Sequence, residues 1–217
     1  MKPGNSTVFV VDDEKSVRNS LVRLLRSAGC QVEAFASADA FLERLPIDDV
    51  GCMVLDISMP GKSGSVLHEQ LSDHNCSLPV IFLTGHGDVP MSVREMKKGA
   101  VDFLLKPVDA KALLAAVAAA LGRHRAALAK QHQQQEVVLH LQQLTQRERQ
   151  VLECMLDGYM NKQTALQMGI AEKTVKVHRS RVMEKMAVHS VAELVHRCEI
   201  AGIHRHATPA EMRKPPA

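Results

Sequence analysis

The sequence predicts an α/β domain, a doubly wound sheet of five parallel strands, joined by a helical linker to an all-α domain of four helices. Three observations lead there. Over residues 1–121 five short apolar or β-branched runs alternate with segments of helical period, the pattern of repeated βαβ units. Beyond them come four helical segments separated by glycines or short polar turns. Charge divides at the same place: residues 1–121 hold 12 Lys and Arg against 15 Asp and Glu, whereas residues 122–217 hold 15 against 9, so a polyanion is expected to meet only the second half.

The first strand, Thr7-Val8-Phe9-Val10-Val11, ends in Asp12-Asp13-Glu14, after which Val17, Leu21, Leu24, Leu25 and Ala28 recur at helical spacing up to Gly29. Gln31–Phe35 reads as the second strand, and Ser37 as the N-cap of a helix carrying Ala40, Phe41 and Leu45 that Pro46 ends. The third strand runs through Met53-Val54-Leu55 to Asp56; Pro60-Gly61 then turns the chain into a helix over 63–71. Pro79-Val80-Ile81-Phe82-Leu83-Thr84 is the fourth strand, with Gly85-His86-Gly87-Asp88 as a loop and a helix over 90–98 closed by Gly99. The fifth, Asp102-Phe103-Leu104-Leu105, ends at Lys106-Pro107, and Asp109 caps the next helix.

Helix formers continue without a break from Ala110 to about residue 143. Residues 122–143 are read as a helical extension linking the domains, with a partly frayed linker as the alternative; Leu121 and Leu128 stand one heptad apart, but Gln135 and Gln142 follow them. In residues 144–203, Thr145 and Glu148 make a capping box ahead of Val151, Leu152, Met155 and Leu156, and Gly158 stops that helix. A short helix over 161–168, the turn Gly169-Ile170-Ala171, a longer helix over 172–186 and a last one over 190–201 complete the domain. Residues 204–217 carry no apolar periodicity and are expected to be disordered. The five cysteines show no C-x-x-C pair, and the longest apolar run, residues 112–121, is too short to span a bilayer; a cytoplasmic protein with no membrane partner is expected.

The C-terminal rim of the predicted sheet collects Asp12 and Asp13 after strand one, Asp56 after strand three, Thr84 after strand four and Lys106 after strand five. Crowded carboxylates call for a cation, and hard oxygen donors suit Mg²⁺ or Mn²⁺. A carboxylate beside such an ion can attack phosphorus, while an ammonium and a hydroxyl screen the phosphoryl oxygens. Taken singly, each acid reads more readily as a helix cap, Thr84 as a strand residue and Lys106 as loop. Their joint placement at successive strand ends favours a phosphoacceptor site.

Residues 6–121 resemble the receiver domain of two-component response regulators through Val10-Val11-Asp12-Asp13-Glu14, Val54-Leu55-Asp56-Ile57-Ser58-Met59-Pro60-Gly61, Leu83-Thr84-Gly85-His86-Gly87-Asp88 and Phe103-Leu104-Leu105-Lys106-Pro107. The resemblance implies a flavodoxin-like fold in which Asp56 accepts a phosphoryl group from a sensor histidine kinase. It implies that Asp13, Asp56 and the main-chain carbonyl of Ser58 hold the metal with Asp12 beside them, and that Lys106-Pro107 is a cis peptide. It also implies a switch: Thr84 is drawn inward, Phe103 turns into the vacated space, and the surface around strand five pairs with a second monomer. Phe103 stands where other receivers carry Tyr, so packing alone would hold its outward position, and a plain core role is the alternative. A phosphatase of the haloacid-dehalogenase type would need a second Asp two residues after the nucleophile; Ser58 stands there. A regulator that assists its own phosphorylation and dephosphorylation is therefore expected rather than an enzyme, the rival being a DNA binder with a vestigial receiver.

In the basic half, the helix after the Gly169 turn puts Val175, Val182 and Met186, with His178, on one stripe, and Lys173, Lys176, Val177, Ser180, Arg181 and Glu184 on another. That outer face has the charge and apolar contact to enter a major groove, Lys176 and Arg181 reaching guanine edges and Val177 a thymine methyl. Thr174, Arg179, Lys162 and Arg197 are candidate phosphate contacts. A solvated basic face is the bland alternative. Residues 144–203 resemble the LuxR-type DNA-binding domain through Leu144-Thr145-Gln146-Arg147-Glu148, Asn161-Lys162-Gln163-Thr164-Ala165 and Thr174-Val175-Lys176-Val177-His178. The whole is similar to the FixJ/NarL class, which implies a double-stranded operator, a homodimer formed on phosphorylation, and Ser180 helping to set operator preference; contact with RNA polymerase is allowed. Thr164 departs from the family, which usually has an aliphatic Ile there.

Overall fold

The computed structural model describes residues 6–47, 49–74, 76–85 and 95–203, and the chain divides into two compact units, Met1–Leu128 and Ala129–Ala217. The first unit is built on strands β1 (Ser6–Val11), β2 (Gln31–Phe35), β3 (Val50–Asp56), β4 (Val80–Thr84) and β5 (Asp102–Leu105), all parallel, in the order β2-β1-β3-β4-β5. Chain order reverses between β1 and β3, and at such a point the strand ends open a crevice.

Period-two patterning sorts the strand residues to two cores. Phe9, Val11, Met53, Leu55, Val80 and Phe82 face α2 (Ala38–Leu42) and α3 (Gly64–Asp73), which add Ala38, Phe41, Leu67 and Leu71. Val8, Val10, Cys52, Val54, Ile81 and Leu83 face α1 (Lys15–Ser27) and the start of α4 (Ala110–Gln142), which add Leu21, Leu25, Leu113, Ala116, Val117 and Ala120. Strands covered on both sides become continuous apolar runs, which is why β1, β3 and β4 carry the strongest signals. Ser37 caps α2 by accepting from the Ala40 N–H, as expected. The helix ends at Leu42 rather than reaching Leu45: Arg44 and Leu45 bond three residues back in a tightened turn, and a residue before proline resists helical geometry. Both Leu45-Pro46 and Lys106-Pro107 are cis.

The expected loop at 86–88 and the start of the helix after β4 lie outside the described residues, as does the tail 204–217. Residues 95–97 are helical, and Gly99 takes φ +101° just beyond them. The expected linking stretch is helical as far as Gln142, within the 33-residue α4; its residues to Leu128 fall in the first unit and those from Ala129 in the second. α4 is long and apolar enough over one window to cross a membrane; Leu113, Ala116, Val117 and Ala120 from that stretch fill the core beneath β1, β3 and β4.

The second unit holds α5 (Gln146–Leu156), α6 (Asn161–Met168), α7 (Glu172–Lys185) and α8 (Val191–Ile200). The Thr145–Glu148 capping box forms in both directions: Thr145 Oγ1 accepts the Glu148 N–H, and Glu148 accepts the Thr145 N–H. Gly169 closes α6 in the left-handed region, φ +66°, where a side chain would be strained. Val151, Leu152, Met155, Leu156, Val182, Met186, Leu194 and Cys198 make the core, joined from the end of α4 by Val137 and Leu141.

Candidate functional site

β1 and β3 each deliver a carboxylate to the crevice because their apolar runs stop there. Asp12 is fully buried and Asp56 is 5% exposed, whereas Asp13 is exposed. Their carboxylate oxygens come within 4.8 Å of one another. Lys106, arriving from the end of β5, bridges two of them: its Nζ donates to Asp12 Oδ2 at 2.7 Å and lies 3.0 Å from Asp56 Oδ2. Thr84, 5% exposed, ends the neighbouring β4, and its carbonyl accepts the Lys106 N–H at 2.8 Å. Asp56 Oδ1 also accepts the Ser58 N–H at 3.4 Å. Of the residues expected at the site, the structure thus gathers Asp12, Asp13, Asp56, Ser58, Thr84 and Lys106. Phe103 stands one strand away, half-buried, tilted on Phe82 with ring centroids 5.4 Å apart.

Burial dominates the electrostatics of Asp12 and raises its pKa above the ordinary aspartate value, although the Lys106 bond and the Glu14 N–H at 2.8 Å oppose it. Burial likewise pulls Lys106 down, but its two carboxylate partners outweigh that and leave its pKa raised. Three carboxylates against one ammonium keep the cluster negative. Clustered hard oxygens with negative charge fit Mg²⁺ or Mn²⁺ better than a softer ion.

Two supporting residues escaped the sequence reading. Arg18 Nη1 donates to the main-chain carbonyls of Asp12, 2.6 Å, and Asp13, 3.2 Å, fixing the acidic corner; its spacing from Asp13 on α1 is the signal that was there to find. Gly64, the first residue of α3, packs against the end of β3 so closely that a Cβ would overlap the Asp56 carbonyl oxygen and approach Ile57 Cα to 3.1 Å. Only the absence of a side chain lets α3 start there.

In the second unit, α6, the Gly169 turn and α7 form a helix-turn-helix. Val175, Val182 and Met186 are fully buried and His178 is half-buried, while Lys173, Thr174, Lys176, Val177, Ser180, Arg181 and Glu184 are exposed, so the two stripes lie as their spacing predicts. Lys162 is exposed on α6. Lys176 Nζ lies 3.7 Å from Glu172 across one exposed turn, a pair weak enough to exchange. Arg179 donates to the Tyr159 carbonyl at 3.3 Å, and Arg197 is engaged with the Met186 carbonyl, Glu193 and Glu136, which ties it into the fold. Lys185 was not anticipated: it donates to Glu148 at 2.7 Å and to the Gln143 carbonyl at 3.1 Å, joining α7 to α5 and to the end of α4.

Comparison with known proteins gives both halves a family. Residues 8–118 match the response regulator receiver domain, and residues 142–198 match the bacterial regulatory proteins of the luxR family. The chain is 46% identical over 202 residues to the transcriptional regulatory protein FixJ of Azorhizobium caulinodans, covering 93% of this chain and 95% of that one. It is 45% identical over 205 residues to nodulation protein W of Bradyrhizobium diazoefficiens, covering 93% and 88%. Among solved structures, the response regulator StyR is 48% identical, with a TM-score of 0.83 over 90% of this chain and 99% of that one. The chain belongs to the two-component response regulators, in the FixJ/NarL class that joins a receiver domain to a LuxR-type DNA-binding domain, and it is a phosphorylation-controlled, DNA-binding regulator of transcription.

Proposed function

We propose that Asp56 is the phosphoacceptor. What carries the reading is one juxtaposition: a buried carboxylate at the end of β3, 3.0 Å from an ammonium that β5 supplies, with two further acids from β1 beside it. An Asp56 oxygen attacks the phosphorus of a phosphohistidine on the sensor kinase; the O–P bond forms as the P–N bond breaks, and the imidazole leaves with the electron pair. Lys106 and the Thr84 hydroxyl stabilise charge on the phosphoryl oxygens. Asp13, Asp56 and the Ser58 main-chain carbonyl, with Asp12 beside them, would hold Mg²⁺ or Mn²⁺, which would supply further charge screening. The same groups assist loss of the phosphoryl group to water, so the chain acts on itself and turns over no other substrate.

The added charge of roughly −1.5 to −2 then biases Thr84 and Phe103 and, through the surface around β5, favours a homodimer. The dimer sets two copies of α7 on a two-fold operator. Lys176, Val177 and Arg181 read base edges with Ser180 tuning preference, and Lys162, Lys173, Thr174 and Arg179 hold phosphates. The functional limits that go with this reading are a receiver over 1–121, a linker over 122–143, the DNA-binding domain over 144–203 and a tail over 204–217. The family works in the cytoplasm, and RNA polymerase is the natural further partner of a bound regulator.

The test is exposure of the chain to a small acyl phosphate with Mg²⁺, followed by mass measurement and sedimentation. One base-labile adduct, absent from Asp56→Asn, together with dimer formation and tighter operator binding, is expected. An adduct elsewhere, or one that leaves dimerisation and DNA affinity unchanged, overturns the proposal.

A further inference from the structure

Glu95, the first described residue beyond the β4 loop, is a fully buried carboxylate. Its Oε2 lies 3.3 Å from His68 Nδ1 on α3, and its Oε1 lies 3.1 Å from Lys98 Nζ, which is itself 2.6 Å from Glu69 Oε1 on α3. A carboxylate taken out of water costs several kcal/mol unless its partners are well placed. Among the described residues, two routes therefore fasten the turn at 95–98 to α3: His68 directly and Glu69 through Lys98.

His68 has a second neighbour. Its ring meets Phe82 edge-on, with centroids 5.4 Å apart and planes at 79°, and Phe82 in turn carries Phe103. Phe82 also precedes Thr84 by two residues and so shares its side of β4. One side chain thus touches the aromatic pair that includes Phe103 and the helical turn that follows Thr84.

We propose that His68 and Glu95 form a latch that holds the receiver in its unphosphorylated arrangement. The inference rests on the reading above, that phosphorylation of Asp56 moves Thr84 and Phe103. Either movement shifts the ground under His68 or Glu95, so the latch opposes both. His68 and Glu95 are positioning residues: they set how far the resting state lies below the active one and leave the chemistry at Asp56 alone.

The experiment uses the full-length chain. His68→Phe keeps a ring on Phe82 and deletes the bond to Glu95; Glu95→Leu keeps volume and deletes the carboxylate. Without phosphodonor, His68→Phe is expected to dimerise about a hundred-fold more tightly than wild type, about ten-fold per protomer for one hydrogen bond to a charged group, and Glu95→Leu at least as much because it also frees Lys98. The double variant should gain no more than Glu95→Leu alone, because that variant already removes the His68 link together with the Lys98 one. The extent of acyl-phosphate labelling at Asp56 should match wild type throughout. Lowered melting temperature with unchanged dimer affinity, or additive gains in the double variant, overturns the latch. Should Glu95→Leu fail to fold, Lys98→Met removes the second anchor from the surface and must shift dimer affinity in the same direction for the latch to stand. Wild-type chain that takes up phosphate without dimerising overturns the receiver reading itself, an outcome separable from the others because no variant is involved.

Discussion

Thr164 is fully buried in α6, and its hydroxyl has no ordinary hydrogen-bond partner among the described residues; the weakly polar Cys154 thiol lies beside it. A buried hydroxyl in that position costs more than the apolar group of the same shape, so Thr164→Val is expected to stabilise the second unit by about 1 kcal/mol, read as a raised urea midpoint with DNA binding intact. Glu148 is the opposite case. Lys185 first, and then the Thr145 N–H, hold its carboxyl down at about 2 against an ordinary 4.5. A depressed folded value means that its contribution is present above about pH 4.5 and is lost as pH falls towards 2. Glu148→Gln should flatten that part of the stability profile and cost about 1–2 kcal/mol at neutral pH, measured by denaturant titration across pH. The Glu148 cap was legible from sequence because it spans three residues; its Lys185 partner was not, because 37 residues of chain separate them.

Elements repeat that division between local and distant information. The five strands and the Ser37, Asp109 and Thr145 caps follow from patterns a few residues long, and the site followed with them, because strand ends are where the acids and Lys106 stand. What anchors one element to another was silent in the sequence: His124 on α4 accepts the Gly51 N–H of β3 at 2.9 Å across 73 residues, and nothing near either residue announces it. Burial lowers the His124 pKa below its usual 6.5, and accepting that N–H requires an unprotonated Nδ1. Stability from this anchor is therefore intact above about pH 6.5 and declines as pH falls below it, since the unfolded chain takes up the proton first. The difference between wild type and His124→Gln in urea midpoint should shrink from pH 7.5 to pH 5.5. At the start of α3, Gly64→Ala is expected to push α3 off the Asp56 carbonyl, destabilising the first unit by about 1–3 kcal/mol and slowing acyl-phosphate labelling at Asp56.

For the molecule as a whole, the acidic first half and basic second half confine nucleic-acid affinity to one region of the chain. Lys176→Ala should weaken operator binding far more than binding to random DNA, whereas Lys162→Ala should weaken both alike and reduce the salt slope by about one; competition titrations at several salt concentrations distinguish them. The division between the halves has a practical side as well. Gln134 donates to the Ile200 carbonyl at 2.8 Å, Val137 and Leu141 lie in the second core, and Lys185 holds the Gln143 carbonyl, so the last turns of α4 belong to the fold of the basic half. A fragment cut at residue 144, where the capping box begins, would leave those partners behind. One cut at residue 129 would keep them, and should melt several degrees higher for the roughly 1.5–3 kcal/mol that burial of the Val137 side chain contributes, with a smaller addition from the partly buried Leu141.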